Sequence, residues 1–84
     1  GIMNFTRYLA SYWQGKNIRV NSLSPGGVFN GQAEPFLSNY TSKTMSKRMA
    51  ELDDLASALL YLTSDASSWV TGTNLMVDGG WTAW

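Results

Sequence analysis

The sequence predicts an α/β fold, the end of a larger doubly wound parallel sheet with two of its strands and the helices around them. Three observations carry that reading. Apolar residues recur at three- and four-residue spacing over 1–17 and 50–64, the period of a helix. Short apolar runs at 18–24 and 74–78 read as strands, and strands separated by helices pair in parallel through a right-handed crossover. Two parallel strands do not make a stable sheet by themselves, so their outer edges call for further strands.

In chain order, 1–17 is predicted as a helix on Ile2, Phe5, Leu9 and Tyr12, widened by Met3, Tyr8 and Trp13. Gly15 is placed as its C′ residue. Gly1 is a poor N-cap with the periodic pattern already running at Ile2, so the sequence reads as opening within or just before a helix. Residues 18–24 form a strand on Ile18, Val20 and Leu23, stopped by Pro25-Gly26-Gly27. A loop covers 25–49, with a helix-tolerant polar part from Ser38 to Met49. The segment 50–64 is the clearest helix, with Leu52, Leu55, Ala56, Leu59 and Leu62 on one face. Asp53 and Asp54 fall in its first turn, where carboxylates favour the macrodipole. A strand over 74–78 is closed by Gly79-Gly80, and 79–84 is a tail.

Composition narrows the chemistry. The 84 residues contain neither cysteine nor histidine, which removes disulfides, thiolate nucleophiles and the commonest metal ligand and general base. No metal site is expected. Six acidic and six basic residues give zero formal charge, so neither nucleic acid nor an anionic membrane surface is an expected partner. No apolar run approaches the ~18–20 residues of a membrane span, and a cytoplasmic location is the default expectation. Aromatic residues reach 13%, implying a dense core or adhesive interfaces.

The stretch with the most chemical information is "NSLSPGGVFNGQ", residues 21–32, because it places a glycine-rich turn directly after a strand. It lacks the glycine spacing and the adjoining helix N-terminus of a phosphate cradle. Open α/β sheets bind ligands beyond the carboxyl ends of their strands, which is where this turn lies. Its glycines allow close backbone approach to a flat group and Pro25 stiffens the turn. An ordinary strand-ending turn is the alternative.

The strings "NIRVNSLSPGGV" and "RMAELDDLASALLYLTSDASSWVTGTNLMVDGG" resemble the C-terminal portion of the short-chain dehydrogenases/reductases. The likeness runs through the sixth strand with its loop, the last helix, the S-D-x-S-x-x-x-T-G turn and the V-D-G-G strand, and covers essentially the whole chain. It implies the last two strands of a single Rossmann-like NAD(P)-binding domain and hydride transfer between nicotinamide and an alcohol or carbonyl substrate. NAD and NADP are not distinguished. The resemblance places the family's pyrophosphate turn and its catalytic serine, tyrosine and lysine upstream, so no catalytic residue is expected here and the chain alone is expected to be inactive. Tyr12 and Lys16 have the Tyr-x-x-x-Lys spacing, but at a helix end remote from the expected cofactor.

By the same resemblance Pro25, Gly26, Val28 and Asn30 are expected to bind the cofactor, with backbone groups near Val28 meeting its carboxamide. Asn30 stands where the family often has threonine. Residues 31–49 resemble the substrate lid, with Gln32, Phe36, Tyr40 and Lys43 as substrate-binding candidates and Leu37, Met45 and Lys47 beside them. Arg48 is expected to pair with Asp53 or Asp54, while Asp78, Asn74 and Thr71 are expected to be structural. Trp81 and Trp84 are expected at a subunit interface. The expected partners are a small-molecule substrate and further copies, as dimer or homotetramer, or the N-terminal part of the same protein. The competing expectation is a non-catalytic interaction or oligomerisation module derived from the fold.

Overall fold

A computed structural model describes residues 1–83. Helix α1 spans Ile2–Tyr12, ending before the predicted residue 17. The backbone of Gly15 (φ +74°) and Asn17 (φ +58°) is left-handed, which no helix continues through. Strand β1 is Ser22–Pro25 and strand β2 is Asn74–Val77, paired in parallel with Ser22 opposite Asn74 and Pro25 opposite Val77. Between them lie helix α2, Phe36–Ser42, and helix α3, Leu52–Thr63. Single 3₁₀ turns occupy Asp65–Ser67 and Trp81–Ala83.

β1 begins four residues later than the apolar run predicts, because 18–21 is held by side chains. Val20 N–H donates to Thr71 Oγ1 (3.0 Å), and the Asn21 amide spans Val70 O and Thr73 N–H. Pro25 belongs to the strand without weakening it. Ser22 N–H donates to Thr73 O and Gly26 N–H to Val77 O, so the donors facing β2 are the even-numbered residues. The nitrogen of Pro25 points to the other edge.

Arg19 gathers the β2 end of the crossover. Its guanidinium donates to Leu62 O, Ser64 O, Val70 O and Ser67 Oγ at 3.0–3.1 Å, closing the C-terminus of α3 onto the strand. The core is small: among the described residues Met49 is the buried large apolar one, joined by the hydrogen-bonded Thr6, Thr44 and Ser67. α3 rests on the sheet through half-buried Leu55, Ala58 and Leu62, while Leu52, Ala56 and Leu59 of the predicted face point outward. Two strands are too narrow a platform to cover all five predicted positions.

Candidate functional site

Because β1 and β2 run parallel, their carboxyl ends open on one side, and the turns after Pro25 and Val77 diverge there. A cleft of about 230 Å³ lies between them, with Gly26, Gly27, Tyr40, Asp78 and Gly79 in its wall.

The two glycines of the first turn serve distinct neighbours. A Cβ on Gly26 would lie 2.8 Å from Asp78 Cα, so glycine is what lets the strand ends close. A Cβ on Gly27 would lie 2.6 Å from the Tyr40 ring, and Gly27 N–H donates to the Tyr40 hydroxyl. The space released by both glycines is thus filled from within the chain.

Val28 forms an isolated parallel bridge with Ala50, made by Ala50 N–H to Gly27 O (2.9 Å) and Phe29 N–H to Ala50 O (2.8 Å). In a parallel bridge these bonds belong to the neighbours of Val28, so its own N–H and C=O face away from Ala50 on a common side. That pair is one donor and one acceptor, the complement of a primary carboxamide. Gln32 Nε2 already donates to Val28 O (3.1 Å), and Gln32 Oε1 accepts from Asn30 N–H (2.7 Å), which folds 28–32 into a closed turn.

α2 lies over this turn. The Tyr40 ring stacks on Trp81 (4.6 Å between centroids, 16° between planes) and on Phe36 (6.1 Å). Lys43 follows at the exposed end of α2 and does not line the cleft; Asn30 is also exposed and outside it. Lys47 Nζ donates to Ser42 O at 2.9 Å. Of the eight expected cofactor and substrate residues, Gly26 and Tyr40 meet at the cleft, and Val28, Asn30 and Gln32 are tied to one another. Phe36 backs Tyr40, and Pro25 serves the sheet. Trp81, which the sequence assigns to a subunit interface, packs on Tyr40 inside the chain. Trp84 lies outside the described residues.

The charged groups near the cleft are structural. Arg48 grips Asp54 through Nη1–Oδ2 (2.7 Å) and Nη2–Oδ1 (3.2 Å). These bonds, with Glu51 N–H donating to Oδ2 (2.8 Å), lower the Asp54 pKa to about 2. Asp78 accepts from the Thr82 hydroxyl (2.6 Å) and from the Gly80 and Thr82 amides, which pull its pKa below the ordinary value. No group of three or more metal-ligating side chains occurs among the described residues. The contacts that sequence reasoning missed, Tyr40 with Gly27 and Trp81 and Asp78 with Gly26, join residues 13 to 52 positions apart and leave no local signal.

Comparison with known proteins gives this geometry a context. Residues 1–82 match the family described as Enoyl-(Acyl carrier protein) reductase. D-arabinitol 2-dehydrogenase [ribulose-forming] of Candida tropicalis is 44% identical across 100% of this chain and 33% of its own length. The NADH-dependent L-xylulose reductase of Ambrosiozyma monospora is 40% identical over 100% of this chain and 34% of its own length. The chain therefore spans about a third of the length of these curated relatives. Among solved structures, a short chain dehydrogenase from Leptospira borgpetersenii with bound NAD+ superposes with a TM-score of 0.90 at 49% identity, covering 98% of this chain and 32% of that one. A gluconate 5-dehydrogenase from Burkholderia cenocepacia in complex with NADP and tartrate gives a TM-score of 0.89 at 28% identity, covering 99% of this chain and 35% of that one. These relatives carry the two cofactors that the motifs imply. With a family match over nearly every residue and the strand–turn geometry in the same order, the chain belongs to the short-chain dehydrogenase/reductase family of NAD(P)-dependent oxidoreductases.

Proposed function

We propose that this chain is the C-terminal portion of a cytoplasmic, homo-oligomeric NAD(P)-dependent dehydrogenase, supplying its nicotinamide-carboxamide turn, substrate lid and oligomer contacts. The observation that carries this reading is the Val28 N–H and C=O, a donor and an acceptor facing one side beyond the carboxyl end of β1, the acceptor shared with Gln32 Nε2. Bound there, the nicotinamide supplies the hydride acceptor or donor. Val28 orients it, and α2 excludes water from the face it covers. The proton-transferring serine, tyrosine and lysine that the family implies belong to a preceding segment, and the 84-residue chain alone is inactive. A polyol–ketose pair is the first substrate class to test, given the arabinitol and xylulose enzymes among the relatives.

The test is made on the full-length protein that carries this segment. NADH should bind and be consumed with ribulose or L-xylulose, whereas Val28→Pro, which deletes one peptide donor, should raise the NADH dissociation constant about tenfold. Unchanged affinity in that variant overturns the carboxamide role. A second reading, a non-catalytic interaction module, is favoured by the exposed aromatic row of α1 and by Trp69, which is 98% exposed. A full-length protein that self-associates but binds neither NADH nor NADPH would establish it.

A further inference from the structure

We infer that Tyr40 is a positioning residue that latches the substrate lid to the cofactor turn, so that closing the lid and ordering the turn are one event. The inference rests on the cofactor reading of residues 25–30. The Tyr40 side chain of the lid touches both the turn, at Gly27, and the C-terminal tail, at Trp81. Its hydroxyl accepts the Gly27 N–H, one residue before the Val28 pair. Its ring lies against the Gly27 backbone, where a Cβ would come within 2.6 Å. Its other contacts are Trp81 at 4.6 Å, beside the Asp78 cap of the tail, and Phe36 of its own helix at 6.1 Å.

Gly27 has its N–H fixed by Tyr40 and its C=O fixed by Ala50 N–H (2.9 Å). These groups belong to the two peptide units flanking Gly27: Tyr40 holds the Gly26–Gly27 unit, and Ala50 holds the Gly27–Val28 unit that carries the Val28 N–H. With the hydroxyl gone, the Gly26–Gly27 unit loses its anchor while Ala50 still holds the next one, so the turn loosens at Gly27 and the Val28 pair is positioned less firmly. The second consequence concerns the glycine itself. Gly27 is required because an aromatic ring of the lid occupies its side-chain space, so the requirement disappears when the ring does.

Both consequences are measurable in the full-length protein with NADH as the probe. Tyr40→Phe keeps the ring and removes the acceptor; the NADH dissociation constant should rise about fivefold, the effect of one ordinary hydrogen bond, while the melting temperature stays within a few degrees. Gly27→Ala should weaken NADH binding more, and adding Tyr40→Ala should restore part of that loss. Two results overturn the latch: wild-type NADH affinity in Tyr40→Phe, or a double variant no better than Gly27→Ala alone, since alanine would then be clashing with something other than Tyr40. Hydrogen exchange at the Gly27 amide needs no cofactor and should accelerate in Tyr40→Phe; equal rates also overturn the latch. A wild-type protein that binds no NADH would defeat the cofactor reading instead, leaving the exchange measurement to decide the latch.

Discussion

Arg19 shows how much one side chain can hold in so small a chain. Its planar guanidinium makes four hydrogen bonds to three carbonyls and a hydroxyl, all belonging to the crossover between α3 and β2. Those carbonyls include the ends of a helix whose last turn contains no basic residue of its own. A lysine has three donors on a point-like head and cannot reach four acceptors arranged around a plane. Arg19→Lys should therefore destabilise the full-length protein by about 1.5–3 kcal/mol, the range for hydrogen bonds to charged groups. Urea denaturation would check this, and a shift near zero would show that the network is redundant. Nothing local in the sequence marks Arg19 for this role, since every one of its partners lies 43 or more residues away. Tyr40 was legible as a lid residue, but not as the neighbour that explains Gly27.

At the level of elements, α3 is organised at its start by an ion pair and a reach-back bond. Asp54 accepts from Glu51 N–H and is gripped by Arg48 from the preceding turn. The sequence placed Arg48 against Asp53 or Asp54, and the structure selects Asp54, the residue three positions into the helix that can also turn back to Glu51. The bonded carboxylate titrates near 2 rather than near the ordinary 3.8. Because the folded pKa is depressed, the stabilisation is fully present above the ordinary value and is lost as pH falls through the folded one. The melting temperature should consequently decline between about pH 4 and pH 2, and Asp54→Asn should flatten that part of the profile. The group is exposed, so added salt should reduce the difference between the two proteins. The strands behave differently. β1 and β2 were legible as apolar runs, but their register depends on Asn21, Asn74 and Thr71, whose bonds cross about 50 residues.

The whole molecule has more surface than its mass warrants. The accessible area is 6144 Å², against roughly 5000 Å² for a folded protein of this size. The radius of gyration is 15.3 Å, where a compact domain of this length would have about 12 Å. The excess of about 1100 Å² exceeds the ~800 Å² that each partner buries in a standard interface. Large apolar side chains contribute to it: Ile2, Phe5 and Tyr8 on α1 and Leu52, Leu59 and Leu60 on α3 are all more than half exposed. We expect the isolated 84-residue chain to melt without a sharp transition and to bind hydrophobic dyes. A single steep, two-state transition would show that the chain folds as a unit and would favour the interaction-module reading.

The amino-acid sequence by itself determined the α/β class, the order of helices and strands, and the glycine-rich turn as the place to look for chemistry. Each of these follows from local periodicity or from residues adjacent in the chain. Which helical face would be covered, where β1 would begin and what would occupy the space at Gly26 and Gly27 were decided by tertiary structure alone. Those outcomes depend on side chains brought together across 13 to 52 positions. A glycine reports that something must come close, and only the folded chain shows that at Gly27 it is the ring of Tyr40.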